Sequence, residues 1–339
     1  YPVGCPSLIL VRVLAAFSVK SFYSYRKSEI FLIALVAVYT LAGYLTAVYL
    51  GHADLFELFM YADVTALSTI AIIIGYLFYR LLRFYYIVIF IRPPRLAAYL
   101  KADLLAGPLN KERYMRAVPV FFSMLVLFSV FTSLKTLIPV IQPFQWDPFW
   151  ADVDRALHFG NDPWRWLQPV LGYPDATKSI NVIYNFWLPV KYFVFYWMMM
   201  SLKNPLTRMQ FFITCALMWI INGTILATIF SAAGPCFYFP ITGVDRFGEL
   251  MTYLKSVDPE HQIWALRMQD MLWEGYISRT LEFGSGISAM PSLHVASTFL
   301  LMLVGWRSHF VFRVAGVLFY LSILIGSVHL GWHYAVDGY

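Results

Sequence analysis

Charged residues are scarce in this sequence. Aspartate, glutamate, lysine and arginine make up 13% of its 339 residues, whereas 60% are hydrophobic and 19% are aromatic. Because soluble domains carry about 25% charged residues, this composition excludes an ordinary soluble domain and indicates an integral membrane protein. Ser/Gly-rich linkers, low-complexity tracts and internal repeats are also missing. Apolar runs recur from end to end instead, which predicts one polytopic all-α helical bundle.

Cysteine is rare as well, with three residues in the chain. We expect Cys5 on the cytoplasmic side, Cys215 inside a span and Cys236 at an external helix end. The last two are about 21 residues apart, or roughly 30 Å of helix. A disulfide bond needs Cα atoms within about 7 Å, so no disulfide framework is predicted.

Several apolar runs are long enough to cross the membrane, since a helix needs about 20 residues to span roughly 30 Å of hydrocarbon. We predict spans near residues 30–50, 63–82, 117–138, 180–200, 209–231, 292–306 and 310–328. The preceding segment SLILVRVLAAFSV is short and has Arg12 in its middle. It is predicted to be an interfacial helix, with a cleaved signal peptide as the alternative.

The basic residues predict the orientation of the bundle. Lysine and arginine cluster before the first span and between the second and third, which places those segments in the cytoplasm. The acidic loops at 51–63 and 139–179 then face outside, as does the long segment 232–291. Arg307 and Arg313 return to the cytoplasm. The net charge of +6 therefore reflects topology, and no array of basic and aromatic residues indicates nucleic-acid binding.

Two histidines mark the candidate chemistry. His294 lies in GSGISAMPSLHVAST, and His333 lies in HLGWHYAVDGY, four residues before Asp337. On a helix this spacing places the carboxylate and the imidazole on one face. Such a carboxylate fixes the imidazole tautomer and leaves the other ring nitrogen for nucleophilic attack. The last two spans run in opposite directions, so both histidines are expected at the external membrane boundary.

Pro291 and Ser292 are typical of a helix N-terminus, with proline in the first turn. Free backbone N–H groups at such a terminus bind phosphate, and the Ser292 hydroxyl adds a further contact. The alternative is that Ser288 or Ser292 simply caps a transmembrane helix.

The residues carry a resemblance to a known family. PSLH at 291–294 and HYAVD at 333–337 resemble the second and third signature motifs of the type 2 phosphatidic acid phosphatase superfamily. The variant, with SAAGPCFYFP at 231–240, is similar to the inositol phosphorylceramide synthase branch. The resemblance implies that His333 becomes phosphorylated, that Asp337 orients it, and that His294 protonates the leaving group. It implies no cofactor, and a catalytic core over 117–339 preceded by an N-terminal region at 1–116.

The chain also departs from the family pattern. The K-x6-R-P motif does not occur, and Gly326 and Ser327 stand where the phosphatases have a Ser-Arg pair. The phosphate-clamping arginines are therefore missing. The chain stops at Tyr339, where the family's last core helix should begin, so we expect a truncated sequence with one more span beyond it.

Four residues are candidates for substrate binding: Ser292, Lys191, Arg246 and Tyr238. Lys191 lies mid-span on a polar stripe, which points into the bundle because charge facing lipid is costly. Helix packing or snorkelling is its alternative. Arg246 is a spare cation, and Tyr238 belongs to an aromatic group expected to exclude water.

The acidic, aromatic segment 144–172 is predicted to be an interfacial anchor. A divalent metal site there is the weaker reading, because no pair of histidine ligands accompanies the aspartates. We therefore predict no metal.

The leading function is a membrane lipid phosphotransferase acting at the outer or lumenal face. It would move a phosphorylated head group from a phospholipid to a lipid alcohol. The alternative is a phosphatase of the same superfamily acting on a lipid phosphate or polyprenyl phosphate. A lipid transporter or scramblase is the second alternative, but the repeated halves that such proteins use are not found in the sequence.

Overall fold

The computed structural model describes residues 6–281, 284–306 and 308–339, with side chains from Arg26 onward except at 260–261. Cys5 and Arg307, on which two sequence predictions rest, lie outside the described residues. The structure is 79% helical without strands in these ranges, which confirms an all-α membrane helical bundle.

Most of the helices are joined by short connections, and the connections before α2 and α14 are longer. The first ten are α1 (Pro6–Tyr49), α2 (Ala62–Tyr86), α3 (Leu96–Ala106), α4 (Lys111–Ile141), α5 (Asp147–Leu157), α6 (Pro163–Leu171), α7 (Pro174–Asn185), α8 (Trp187–Met200), α9 (Pro205–Ile220) and α10 (Ala227–Ile229). They are followed by α11 (Tyr238–Thr242), α12 (Gly248–His261), α13 (Trp264–Ser278), α14 (Leu293–Trp306) and α15 (Phe310–His329). A 3-10 turn, Ala335–Gly338, follows α15. The predicted interfacial helix is continuous with the first span, because α1 has no break.

The number of long spans differs from the seven predicted. In the described part of the chain, five helical stretches are long and apolar enough to cross a membrane: Arg26–Tyr49, Ala62–Ile91, Leu96–Ile141, Pro205–Ile229 and Phe310–His329. The predicted span at 292–306 forms a shorter apolar helix of 14 residues, α14.

The predicted span at 180–200 is broken in two. Helix α7 ends at Asn185 and α8 begins at Trp187. Pro189 explains the break, because a proline ring clashes with the carbonyl four residues earlier, here that of Asn185, and offers no N–H to it. The break lies beside His294, whose ring contacts Trp187.

Two apolar cores hold the bundle together. The first joins α1, α4, α8 and α9, and includes the buried side chains of Leu32, Leu127, Phe195 and Phe212. The second joins α5 to α7 with α12 to α15 and the C-terminal turn. Helix α1 packs against α4 and α9, inside the predicted catalytic region. The domain division at residue 116 stays a prediction.

Candidate active site

Helix α5 supports the loops of the site through two buried aspartates. Asp147 accepts hydrogen bonds from the backbone N–H groups of Ala233 and Gly234, both at 2.8 Å. Asp154 accepts from the N–H groups of Ala335 at 2.8 Å and of Val336 at 3.0 Å. The two carboxylates lie two helical turns apart on one face. They hold both the loop after α10 and the C-terminal turn.

The sequence did not predict that these aspartates hold the loops of the site, since segment 144–172 was interpreted as an interfacial anchor. Burial raises the pKa of both Asp147 and Asp154, although their hydrogen bonds oppose the shift. The signal in the sequence is the seven-residue spacing, with the fully buried Ala151 on the same face. The buried hydroxyl of Tyr334 also donates to Asp147, at 2.7 Å.

The loop after α10 requires glycine at one position. Gly234 has a φ of +101°, and an added Cβ would lie 2.6 Å from the carbonyl oxygen of Trp332. A side chain there would push away the residue directly before His333. The glycine of the sequence motif thus permits close approach of two loops.

The structure brings His333 and Asp337 together, as predicted, but not on an α-helix. His333 lies outside a helix, Tyr334 is extended, and Asp337 follows in the 3-10 turn. His333 Nδ1 is 3.3 Å from Asp337 Oδ2, and the same oxygen accepts from the N–H of Tyr334 at 2.9 Å. The expected α-helical geometry was wrong, because Tyr334 is extended and the chain then forms a 3-10 turn.

The hydrogen bonds of His333 define its tautomer. Its Nδ1 also lies 2.8 Å from the carbonyl oxygen of Ala289, which can only accept a hydrogen bond. We therefore assign the proton of the neutral ring to Nδ1. Among the described residues Nε2 has no hydrogen-bond partner, so its lone pair is available for attack.

Burial of Asp337 places an ionisable carboxyl behind the imidazole. Desolvation raises the pKa of Asp337 to about 6, and the hydrogen bond and charge of His333 oppose the rise. Its Oδ1 atom is buried without a partner in the described part of the chain. The carboxyl is thus held ready to stabilise positive charge on His333.

His294 faces His333 from the first turn of α14. The two ring centroids are 6.0 Å apart. Trp187 contacts the His294 ring at 4.3 Å, and Tyr184 stacks on it at 5.2 Å. The indole N–H of Trp187 donates to Ser297 at 2.8 Å, which fixes this aromatic wall against α14. The predicted convergence of the two histidines is therefore present in the geometry.

Ser292 caps α14 and ties it to the C-terminal turn. Its hydroxyl accepts from the N–H of Val295 at 3.3 Å, and its own N–H donates to the carbonyl oxygen of Asp337 at 2.9 Å. Pro291 lies before this cap instead of in the first helical turn. The capping alternative is therefore seen directly, and a phosphate contact by Ser292 stays a prediction.

Comparison with known proteins supplies the family. A family model described as the PAP2 superfamily matches residues 149–338, which is more than half of the chain. The chain belongs to the PAP2 superfamily. No curated protein and no solved structure matches it. Members of this superfamily are lipid phosphatases and phosphotransferases, and the match supports an enzyme of this general kind.

The PAP2 match contains His294, His333 and Asp337, and it also contains Ser327. Ser327 is fully buried, and its hydroxyl donates to the carbonyl oxygen of Leu324 within α15. This position cannot supply positive charge to a phosphate.

Lys191 lies in an aromatic cage within the bundle. Its Nζ atom is 4.3 Å from the Trp187 ring centroid. The rings of Phe128, Tyr192 and Trp219 lie 5.3, 5.3 and 5.6 Å away. No ion pair or hydrogen bond of Lys191 is present in the described ranges. Trp187 also contacts His294. The indole of Trp187 therefore lies against both the Lys191 ammonium group and the His294 imidazole.

Arg246 and Tyr238 occupy a separate cluster. Arg246 pairs with Asp152 at 2.6 Å and with Asp162 at 2.8 Å, and donates to the carbonyl oxygen of Ala151 at 2.7 Å. It is therefore not the spare cation that the sequence suggested, because three acceptors already hold its guanidinium. Tyr238 is buried, and its ring packs edge-on against Phe247, the residue after Arg246.

An open cleft of about 570 Å³ lies on the same end of the molecule. None of the catalytic candidates lines it. Pro235 and Phe247 line both this cleft and a cavity of about 10 Å³ beside His333. The smaller cavity is roughly the size of one water molecule. The site around His333 is therefore tight, and the large cleft is separated from it by these two side chains.

Proposed function

We propose that this PAP2 protein is a lipid phosphotransferase with a phosphohistidine intermediate, acting at the outer or lumenal face of a membrane. The observation that carries the proposal is the facing pair of histidines, 6.0 Å apart, with the Nδ1 atom of His333 held by Asp337 and Ala289. A nucleophile, an orienting carboxylate and an acid–base group then lie in one place.

In the first step His333 Nε2 attacks the phosphorus of a phospholipid. The bond from phosphorus to the diacylglycerol oxygen breaks, and protonated His294 gives its proton to that oxygen. The head group stays on phosphorus, now bonded to His333. Asp337 stabilises the positive charge on the imidazole in the manner of an acid–histidine pair.

In the second step a lipid alcohol takes the place of diacylglycerol. Neutral His294 accepts the proton of its hydroxyl, and the oxygen attacks phosphorus. The bond between phosphorus and His333 breaks, which restores the free imidazole and returns His294 to its protonated form. The products are diacylglycerol and the acceptor carrying the phosphorylated head group.

The charges near the site favour a phosphodiester substrate over a phosphomonoester. A monoester carries up to two negative charges, which suit a fork of arginines, whereas a diester carries one. Gly326 and Ser327 stand where the phosphatases have the Ser-Arg pair. Arg246 is already paired with two aspartates. We assign substrate contact to Ser292 and Lys191, and a structural role to Arg246 and Tyr238.

Aromatic side chains around His294 favour a lipid alcohol over water as the acceptor. Tyr184 and Trp187 cover the ring, and Tyr334 and Trp332 flank His333. Limited water access supports transfer with slow hydrolysis as a side reaction. We propose that the chain belongs to the inositol phosphorylceramide synthase branch, which its motifs at 231–240, 291–294 and 333–337 resemble.

The experiment measures two products from purified protein in lipid nanodiscs. One assay follows free phosphate from phosphatidate, and the other follows transfer of a labelled head group from a diester lipid to a lipid alcohol. We expect transfer to exceed phosphate release by at least about tenfold. Rapid phosphate release without transfer would establish the phosphatase alternative.

The nucleophile is tested by trapping. Acid quenching destroys phosphohistidine, so samples are quenched in alkali after brief exposure to lipid labelled on phosphorus. We expect labelled wild-type protein and unlabelled His333→Ala. His52→Ala is the matched control, because His52 makes no side-chain cap hydrogen bond in the outer loop. Normal turnover by His333→Ala would overturn the mechanism.

A further inference from the structure

The open cleft of about 570 Å³ plays no part in the proposed reaction. Helices α11, α12 and α13 and the loop after α10 form its walls. Its volume lies within the range of pockets that bind small molecules, about 300 to 1,000 Å³. Because neither histidine lines the cleft, a ligand held there would leave the candidate active site free.

Aromatic and charged side chains lie next to each other in this cleft. Trp273 stacks on Phe237, with ring centroids 5.5 Å apart and planes at 18°, and both residues line the wall. Asp270 and Lys255 line the same cleft and are exposed. A hydroxyl group can both donate and accept hydrogen bonds. A ring that carries several hydroxyls can therefore bind the carboxylate and the ammonium group while its apolar face packs on the indole.

The charges of the cleft disfavour a simple ion as its ligand. The carboxylates of Asp245 and Asp270 repel an anion, and the side chains of Lys255 and Arg267 repel a cation. A purely apolar ligand would remove water from these charged groups without replacing its hydrogen bonds. A neutral ligand with many hydroxyls avoids both costs.

Gln269 provides a buried hydrogen-bond acceptor in the cleft. The residue lines the cleft and is 3% exposed. Its Nε2 atom donates to the carbonyl oxygen of Leu330 at 2.9 Å, which fixes the orientation of the amide because a carbonyl can only accept. The Oε1 atom is buried and has no partner among the described residues. A buried acceptor without a donor is costly, and a ligand hydroxyl can supply that donor.

The residues behind the cleft lead directly to His333. The backbone N–H of Cys236 donates to the carbonyl oxygen of Gly331 at 2.9 Å. An added Cβ at Gly331, which has a φ of +74°, would lie 3.2 Å from the Sδ atom of Met251. Cys236 and Met251 both line the cleft. The cleft is therefore built on the loop that ends at His333, although the histidine itself lies outside it.

We propose that this cleft binds a neutral polyhydroxylated ring, which is carried by a soluble sugar or polyol or by the head group of a membrane lipid. Trp273 provides the stacking surface, and Asp270 and Gln269 accept hydrogen bonds from the ligand hydroxyls. This second site is separate from the histidine pair, and it goes beyond the proposed function without depending on it.

Saturation-transfer NMR tests the site with protein in nanodiscs. The probes are methyl glucoside, methyl galactoside and myo-inositol, and choline and inorganic phosphate serve as ionic probes. We expect millimolar binding of at least one polyhydroxylated probe to wild type. Losing the stacking surface in Trp273→Leu, or the charged acceptor in Asp270→Asn, should weaken that binding about tenfold.

Matched controls come from the same helix. Trp264 and Glu274 are exposed on α13 and do not line the cleft. Trp264→Leu and Glu274→Gln should therefore bind the probes as wild type does. Asp270→Asn changes an exposed side chain, so it keeps the test decisive if Trp273→Leu does not fold.

Nanodiscs with and without a glucosylated diacylglycerol distinguish the two sources of the ring. A rise in thermal unfolding temperature with the glycolipid that Asp270→Asn loses would assign a lipid head group, and NMR signals from the soluble probes that the same variant loses would assign a free ligand. Absence of binding in both arms, equal binding by wild type and Asp270→Asn, or stronger binding of choline or phosphate would overturn the proposal. Because neither measurement needs turnover, failure of the proposed reaction would not change the result.

Discussion

At the scale of single residues, the chemistry depends on how His333 is held. Its Nδ1 atom has two acceptors, the Ala289 carbonyl and Asp337. The carbonyl alone would fix the tautomer, so the distinct contribution of Asp337 is its negative charge. That charge is buried, and Oδ1 has no partner in the described part of the chain. The attraction between the carboxylate and the imidazole is therefore strongest when the imidazole becomes positive.

Asp337→Asn separates charge from geometry. The amide oxygen can still accept from the Tyr334 N–H, so the turn should keep its shape. We expect kcat to fall by about 10² to 10⁴-fold, as for removal of an orienting carboxylate in acid–base catalysis. Head-group transfer and phosphoenzyme formation are measured together. Retention of more than half of wild-type kcat would argue against the orienting role.

The pH dependence of activity should reveal the negative charge of Asp337. The pKa of Asp337 is raised to about 6, so the carboxylate is ionised above that pH and gains a proton as the pH falls through it. We expect the ratio of wild-type to Asp337→Asn activity to fall as the pH is lowered from about 8 to about 5. Taking the ratio removes the titration of His294, which both proteins share. A constant ratio would contradict ionisation in this range.

At the scale of elements, α5 supports the site by holding the loops around it. Asp147 on α5 binds the amides of Ala233 and Gly234, and Asp154 binds those of the turn that contains Asp337. One short amphipathic helix therefore sets the distance between two loops that are far apart in sequence.

Removing Asp147 should test this support. Asp147→Ala leaves two buried N–H groups and the Tyr334 hydroxyl without their acceptor, so we expect a loss of about 2 to 5 kcal/mol in the free energy of unfolding. Asp152→Ala, on the exposed face of the same helix, should cost less than about 1 kcal/mol. Thermal unfolding in nanodiscs measures both. Equal effects would mean that α5 is only an interfacial anchor.

The local sequence pattern predicted the helices better than it predicted the breaks within them or the long-range contacts of their side chains. The histidine pair and its carboxylate follow from four-residue spacing and from the direction of two spans. The partners of Asp147 and Asp154 lie 86 and 181 residues later, so no local pattern specifies them. The break at Asn185 could have been predicted from Pro189, whereas the ion pairs of Arg246 required the tertiary fold.

At the scale of the whole molecule, the ends of the bundle differ in charge. At one end Arg113 donates to the carbonyl oxygen of Met200, and Arg208 donates to that of Arg116 at 2.6 Å. At the other end the backbone N–H of Trp146 donates to the carbonyl oxygen of Ser231, and that of Ser292 donates to the carbonyl oxygen of Asp337. The histidines therefore lie at the end opposite this arginine cluster. Because basic segments stay in the cytoplasm, we propose that the site faces outside.

Cysteine labelling tests this orientation in membranes. The three native cysteines are first replaced by serine, and single cysteines are then introduced at exposed positions. Asp54→Cys and Asp175→Cys lie at the end that carries the site, whereas Lys101→Cys and Lys203→Cys lie at the basic end. An impermeant maleimide added from outside should label the first pair in intact cells and the second pair only after permeabilisation. The two members of each pair lie in separate segments of the chain, so a local distortion would affect one member and not both. Labelling of Lys101→Cys and Lys203→Cys alone in intact cells would place the histidines in the cytoplasm, where the proposed reaction would have to use lipids of the inner leaflet.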